Sequence, residues 1–236
     1  MTSQEMSLEF DILYNNIASN MAPGIDAYEK SVFLTKAQEQ IVTAIYDGSF
    51  EGSEKLRECI SPLVKTVTFT TPLTDNIPIG VSSDSKFYKI DEDEHLWYIV
   101  YESISLTDET CDSKKQVAVK PVKIDEYHRI RKNPFRKARK HEALRLNTEG
   151  FIEIVYPSSY GNFEYSVRFI RRPNPILVGA DYECPTIEGY NLSEQDPITG
   201  IWTPVNMDCE LLDAIHRTIV ETAVNLAIAA YKSTNN

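Results

Sequence analysis

Apolar residues recur at helical spacing at both ends of the chain and alternate in the middle. Leu8, Ile12, Leu13 and Ile17 form one stripe of an amphipathic helix that Pro23-Gly24 stops. A second helical region begins near Asp26. Within it Thr35 and Gln38 have capping-box spacing, and Ala37, Ile41, Val42, Ile45 and Tyr46 follow as an apolar face ending at Gly48. Ser53 is placed to cap a third helix burying Leu56, Cys59, Ile60 and Leu63. The period then drops to two. VKTVTFTT, from Val64 to Thr71, is β-branched and alternating, as a half-buried strand should be.

Lys86 to Ile90 and Leu96 to Ser105 predict a hairpin joined by the acidic turn Asp91-Glu92-Asp93-Glu94. Gln116 to Ile124 predicts another strand, which Pro121 demotes to an edge or a bulge. Phe151 to Tyr156 and Phe163 to Arg171 follow, linked through Pro157, Ser158, Ser159 and Gly161. Arg172 to Thr203 has little periodicity and much Pro and Gly, and predicts an extended arm. Helical spacing returns from Asp208 to Tyr231 through Leu212, Ile215, Ile219, Ala223, Leu226 and Ala230. Acids at its start and Lys232 at its end suit a helix dipole.

Helices at both ends with strands between them predict an α+β fold, because a parallel sheet needs strand-helix alternation. The N-terminal helices and the C-terminal helix should pack together beside a central, mostly antiparallel β region with extended loops. The length of 236 residues suits one domain. Its helical part is expected at 1–65 and 206–232 and its β-rich part at 64–205, carrying a basic loop at 128–145 and a Pro-rich arm at 172–203.

Composition is that of a globular protein, with 42% hydrophobic and 25% charged residues. The four cysteines Cys59, Cys111, Cys184 and Cys209 lie far apart and read as reduced thiols. The first ten residues, MTSQEMSLEF, lack the basic and apolar regions of a secretion signal. The most apolar stretch, Ala223 to Tyr231, is far too short to span a bilayer, so no membrane partner is expected.

Charge changes the picture more. The net charge of −11 argues against a general nucleic-acid binder. Between His128 and Arg145, however, the window carries about +7 and leaves about −18 on the rest of the chain. Like charges at that density need an offsetting neighbour. Three readings of this segment stand: contact with nucleic-acid phosphates with Phe135 stacking, docking on carboxylates of a neighbouring subunit, or a solvated loop. Asn133-Pro134 should break a helix running from Asp125, so that FRKARK begins a loop or a new turn. In the arm, Pro173 and Pro175 stiffen a segment carrying Ile176, Leu177 and Val178. It either reaches to a neighbour or covers the chain's own core.

Catalytic signatures are missing from the sequence. It contains no phosphate loop, no GxGxxG, no GxSxG, no HExxH and no EF-hand loop. Asp91 to His95 could gather oxygens around a divalent cation, as a metal-dependent hydrolase would need, but reads more simply as a solvated turn. His216 reads as a half-buried histidine at the edge of the core. No catalytic residue, metal ligand or cofactor is assigned.

Several stretches in order resemble the ring, or head-to-tail connector, proteins of crAss-like bacteriophages. They are Met21 to Gln38 (MAPGIDAYEKSVFLTKAQ), Phe50 to Glu54 (FEGSE), Arg131 to Arg136 (RKNPFR), Arg168 to Ile176 (RFIRRPNPI) and His216 to Val224 (HRTIVETAV). The resemblance implies a structural virion protein without enzymatic activity, assembled in the host cytoplasm and placed in the portal-tail region. It implies a closed ring of about twelve copies. The portal, an adjacent ring or tail proteins would be its partners, and genome DNA would pass through the lumen without specific binding. The subunit interface is then expected at Arg129, Arg131, Lys132, Phe135, Arg136, Lys137, Arg139 and Lys140, with Arg171, Arg172, Pro173, Pro175 and Ile176 of the arm. Changing Arg136, Lys137, Arg139 and Lys140 together to Glu should weaken assembly. A nucleic-acid-binding assembly factor remains the alternative, distinguished by DNA binding that falls steeply with salt.

Overall fold

A computed structural model describes residues 1–17, 24–50, 57–83, 85–91, 94–107, 114–135, 142–148, 150–156 and 163–234. The fold is α+β, with helices at both chain ends and a central sheet. The chain divides into two compact units, Met1–Leu63 with Arg172–Asn236, and Val64–Arg171. The arm, grouped by its sequence with the strands, therefore packs within the helical unit.

In the helical unit α1 (Ser3–Ile17) and α2 (Ala27–Asp47) both pack against α4 (His216–Thr234). The core combines Leu34, Ile41 and Ile45 of α2 with Ile219, Val220 and Ala223 of α4. Helix α1 contributes Met6, Phe10 and Tyr14, whereas the predicted stripe residues Leu8 and Ile12 are 65% and 62% exposed. At about 100° per residue the two stripes lie on nearly opposite sides of α1, and packing selected the aromatic one. The side chain of Ile17 lies outside the described residues.

The capping box of α2 is Asp26 and Glu29, not Thr35 and Gln38. The Asp26 carboxylate accepts from Glu29 N at 2.7 Å, and the Glu29 carboxylate accepts from Asp26 N at 3.2 Å. With the helix already begun at Ala27, Thr35 and Gln38 sit mid-helix and their side chains are available for other partners. Gly48 closes α2 at φ 73°, a conformation that glycine adopts without strain. The third helix is a 3-10 segment, Arg57–Leu63, that buries Cys59, Ile60 and Leu63 as predicted. Ser53 and Leu56 lie outside the described residues.

The predicted start of α4 at Asp208 is corrected to His216, after a 3-10 turn at Asp213–Ile215. Residues 208–212 make tertiary ties instead. Asp208 accepts from Ser3 N at 2.6 Å, Glu210 accepts from Asn174 N at 2.9 Å, and Leu212 N donates to Cys59 O at 3.3 Å.

The second unit is a seven-stranded sheet of order β1-β7-β3-β4-β5-β6-β2. Its strands are β1 (Val64–Phe69), β2 (Ser85–Tyr88), β3 (Leu96–Thr107), β4 (Lys114–Pro121), β5 (Glu142–Thr148), β6 (Phe151–Val155) and β7 (Phe163–Arg171). Every pairing is antiparallel except β4 with β5, which α3 (Ile124–Lys132) connects as a crossover. The predicted β2-β3 hairpin does not form. Strand β2 pairs with β6 at the far edge, while β3 pairs with β4 and β7. Alternation marks a strand and its buried face but does not choose its partner.

Two further expectations are corrected. β4 lies inside the sheet rather than at an edge, and Pro121 is tolerated because Val122 N makes the bond to Arg145 O, at 2.8 Å, and the pairing with β3 ends at Ala118. Strand β5 was not expected at all. It is buried on both faces, with Ala143 in the main core beside Ile154 and Tyr165, and with Leu144 and Leu146 beneath α3. Its alternation is confined to Leu144 and Leu146 between polar Arg145 and Asn147, too short a run to stand out at the end of the basic segment.

Candidate interaction surfaces

Helix α3 presents the described part of the basic segment. Tyr127 and Ile130, three residues apart on one face, are buried against Leu144, Leu146 and Val155 of the sheet. That anchoring turns Arg129, Arg131 and Lys132 outward, where all three are exposed. They occupy the last turn, and Asp125 and Glu126 the first, so each sign lies at the helix end whose dipole favours it. Within the helix Arg129 meets only Glu126, at 3.5 Å and largely in solvent, which offsets little of the charge.

The helix ends at Lys132, where the sequence predicted a break. Asn133 N donates to Ile130 O at 3.2 Å, and the Asn133 side chain accepts from Phe135 N at 2.9 Å. This small turn, stiffened by Pro134, holds Phe135 with 89% of its surface exposed. Arg136, Lys137, Arg139 and Lys140 lie outside the described residues.

The arm residues are placed differently. Arg171 ends β7 and is half-buried, while the Arg172 guanidinium bridges the carboxylates of Glu39 and Glu188. Pro173, Pro175 and Ile176 are buried. Polar side chains on α2 meet the arm backbone at every second residue. Ser31 accepts from Val178 N at 2.9 Å, Thr35 accepts from Ile176 N at 3.1 Å, and Gln38 donates to Asn174 O at 2.9 Å. The advances are close: Ser31 to Gln38 rises about 10.5 Å along the helix, Asn174 to Val178 about 13 Å along an extended chain, and Gln38 has the longest of the three side chains. Among the two readings of the arm, this geometry is that of a cover over the chain's own core. The signal is a run of hydroxyl and amide groups inside a helical stripe, of which Thr35 and Gln38 have the spacing of a cap and Ser31 has none.

Elsewhere the helical unit leaves one apolar stripe uncovered. Leu8 and Ile12 on the outer side of α1, with half-buried Leu13, floor an open groove of about 860 Å³. Glu5, Glu9 and Asp213 stand around it, and the Arg217 guanidinium lies 3.8 Å from Glu9. Leaving a Leu or Ile in water forgoes about 1.5–3 kcal/mol each relative to full burial.

Ionisable groups inside the units serve packing. His216 is fully buried rather than half-buried, with Nε2 2.8 Å from Leu211 O and Nδ1 3.2 Å from Asp213 Oδ1. Glu153 is buried and accepts from Val81 N at 2.7 Å, Ser85 Oγ at 2.5 Å and Thr148 Oγ1 at 3.0 Å. Glu102 pairs with Arg145 at 2.9 Å and accepts from the Tyr165 hydroxyl at 2.5 Å. Burial nevertheless pushes the Glu102 carboxyl above its usual range, outweighing the lowering by Tyr165 and Arg145. Sequence reasoning missed this group because its members come from β3, β5 and β7.

Glu92 and Asp93 lie outside the described residues, and Glu94 is paired with Lys65 at 2.6 Å. Among the described residues no three His, Cys, Asp or Glu side chains gather to hold a metal ion, and no helix is long and apolar enough to cross a membrane.

The family described as phage tail ring protein 3/4, from the crAss group, matches residues 1–236. Ring protein 3 of Bacteroides phage crAss001 is 35% identical over 238 residues, covering 97% of this chain and 95% of that protein. Ring protein 4/5 of the same phage is 33% identical over 249 residues, covering 98% of this chain and 94% of its own length. The chain belongs to the crAss phage tail ring protein 3/4 family, whose members are structural ring proteins and not enzymes.

Proposed function

We propose that this protein forms a closed homo-oligomeric ring of about twelve copies in the portal-tail region of the virion. The ring is assembled in the host cytoplasm, stacked coaxially on the portal or on an adjacent ring, and encloses the channel for genome DNA. The observation that carries this reading is charge segregation. The exposed basic face of α3 sits on a chain whose remainder is strongly acidic, so the nearest counter-charge in quantity is the surface of an identical neighbour. An acidic lumen repels phosphates and lets DNA slide without specific contacts.

The test is negative-stain imaging and sedimentation of the purified protein, alone and mixed with its portal. Closed rings are expected in at least one of the two, and changing Arg129, Arg131 and Lys132 together to Glu should weaken their formation. A chain that stays monomeric in both overturns the reading. Tight DNA binding that falls steeply with salt would instead mark an assembly factor.

A further inference from the structure

We infer that the basic face of α3 in one copy docks on the acidic outer surface of the arm in the next copy, a contact that rests on the ring reading and names its two sides. From Pro173 to Ile215 the chain carries eight acids and no Lys, Arg or His. Five of them are engaged within the helical unit. Glu188 meets Arg172, Asp196 accepts from Ile198 N, Asp208 from Ser3 N and Glu210 from Asn174 N, and Asp213 pairs with the N-terminal ammonium. The other three, Asp181, Glu183 and Glu194, are exposed.

The fold brings these three together. Ala180 N donates to Leu192 O at 3.2 Å, and Ser193 Oγ donates to Tyr182 O at 2.9 Å. Tyr182 stands among them, 44% exposed. Burial raises its hydroxyl above the usual range, and the nearby Asp26 carboxylate raises it further. The lysines of α2 do not offset this surface. Lys30 is tied to Asp11 at 2.7 Å. The arm runs antiparallel to α2, from Asn174 at Gln38 to Val178 at Ser31, and so carries Asp181 and Glu183 toward the helix start. Lys36 lies about 13 Å along the helix from that start.

The basic side is three exposed cations within one turn, Arg129, Arg131 and Lys132. Tyr127 and Ile130 hold that turn on the sheet. The acids of the helix are in its first turn, and Asp125 is about 10 Å from Lys132 along the axis. Opposite charges gathered in this way fix which surfaces meet, and an Arg guanidinium stacks well on an exposed tyrosine ring. Hydrogen-bonded backbone holds both sides in advance, so little conformational freedom is lost on docking. The two patches differ, so the contact is head-to-tail and is satisfied in every copy only when a ring closes.

Two charge reversals test it. One variant carries Arg129→Glu, Arg131→Glu and Lys132→Glu; the other carries Asp181→Lys, Glu183→Lys and Glu194→Lys. All six positions are exposed, so circular dichroism and melting curves should match the parent protein. Each variant alone sets like charges face to face and should raise the concentration needed for assembly about tenfold or more. Mixed in equal amounts, the two should assemble again, because each contact then joins opposite signs. Imaging and sedimentation of the mixture, with the portal if the parent requires it, should show rings of alternating copies.

Normal rings from the arm variant alone would overturn this contact and leave the ring reading intact. A mixture that stays unassembled would do the same. Salt-sensitive DNA binding that the α3 variant loses, while the arm variant still assembles, would assign α3 to phosphates and also overturn it. A parent protein that forms no ring alone or with its portal would sink both.

Discussion

The hydroxyl of Thr35 and the backbone of Ile176 are paired on both sides: Oγ1 accepts from Ile176 N at 3.1 Å and donates to Ile176 O at 3.5 Å. One side chain thus satisfies the backbone of a buried arm residue that belongs to no sheet. Thr35→Val keeps the shape but leaves the Ile176 groups unsatisfied, and should lower stability by about 1–3 kcal/mol. Urea denaturation measures this, and Thr35→Ser should recover most of the loss.

The Glu102–Arg145 pair has side chains only 5% and 14% exposed. Removing one partner of a buried pair costs about 3–5 kcal/mol, whereas replacing both can be nearly neutral. Arg145→Met alone should therefore destabilise strongly, and Glu102→Gln with Arg145→Met should cost much less. Because the folded Glu102 pKa is raised above its unfolded value, its contribution is fully present below the unfolded value and is lost as pH rises through the folded one. Arg145→Met removes a lowering influence, so the loss should extend to higher pH. Unfolding midpoints that do not vary with pH in that variant would refute the assignment.

Asp26 caps α2 and receives Glu29 in return. Asp26→Ala should cost about 0.5–2 kcal/mol, and hydrogen exchange should quicken in the first turn of α2 while α4 is unchanged.

Burial pushes the Cys209 thiol up to about 11, and its sulfur donates to the Gln38 side chain at 3.1 Å. A thiol so placed carries roughly a hundredfold less thiolate at pH 8 than a free one. Iodoacetamide should leave Cys209 unlabelled until denaturant is added, as peptide mass spectrometry would show.

A Cβ at Gly179 would sit 2.6 Å from Pro204 Cβ and 2.8 Å from Val205 N. Because backbone occupies that space, Gly179→Ala should displace the arm and cost about 1–3 kcal/mol. An unchanged melting temperature would show that the arm adjusts freely.

Residue order alone determined the outline: helices at the ends, strands between them, the stop at Gly48, the break at Asn133-Pro134, and a basic segment on an acidic chain. These are local matters of period, backbone restriction and charge count, and so they are legible along one dimension. It also carried the family resemblance through stretches such as Arg168 to Ile176. Only tertiary structure decided which stripe of α1 faces the core, because Met6-Phe10-Tyr14 and Leu8-Ile12 have the same spacing. Strand partners were likewise decided in three dimensions, since β2 and β3 alternate correctly whether or not they pair. Strand β5 stayed hidden because its alternation is only Leu144 and Leu146 between Arg145 and Asn147, at the end of a run read as a basic loop. Thr35 and Gln38 had the spacing of a cap, but a helix begun at Ala27 gave their polar groups to the arm instead.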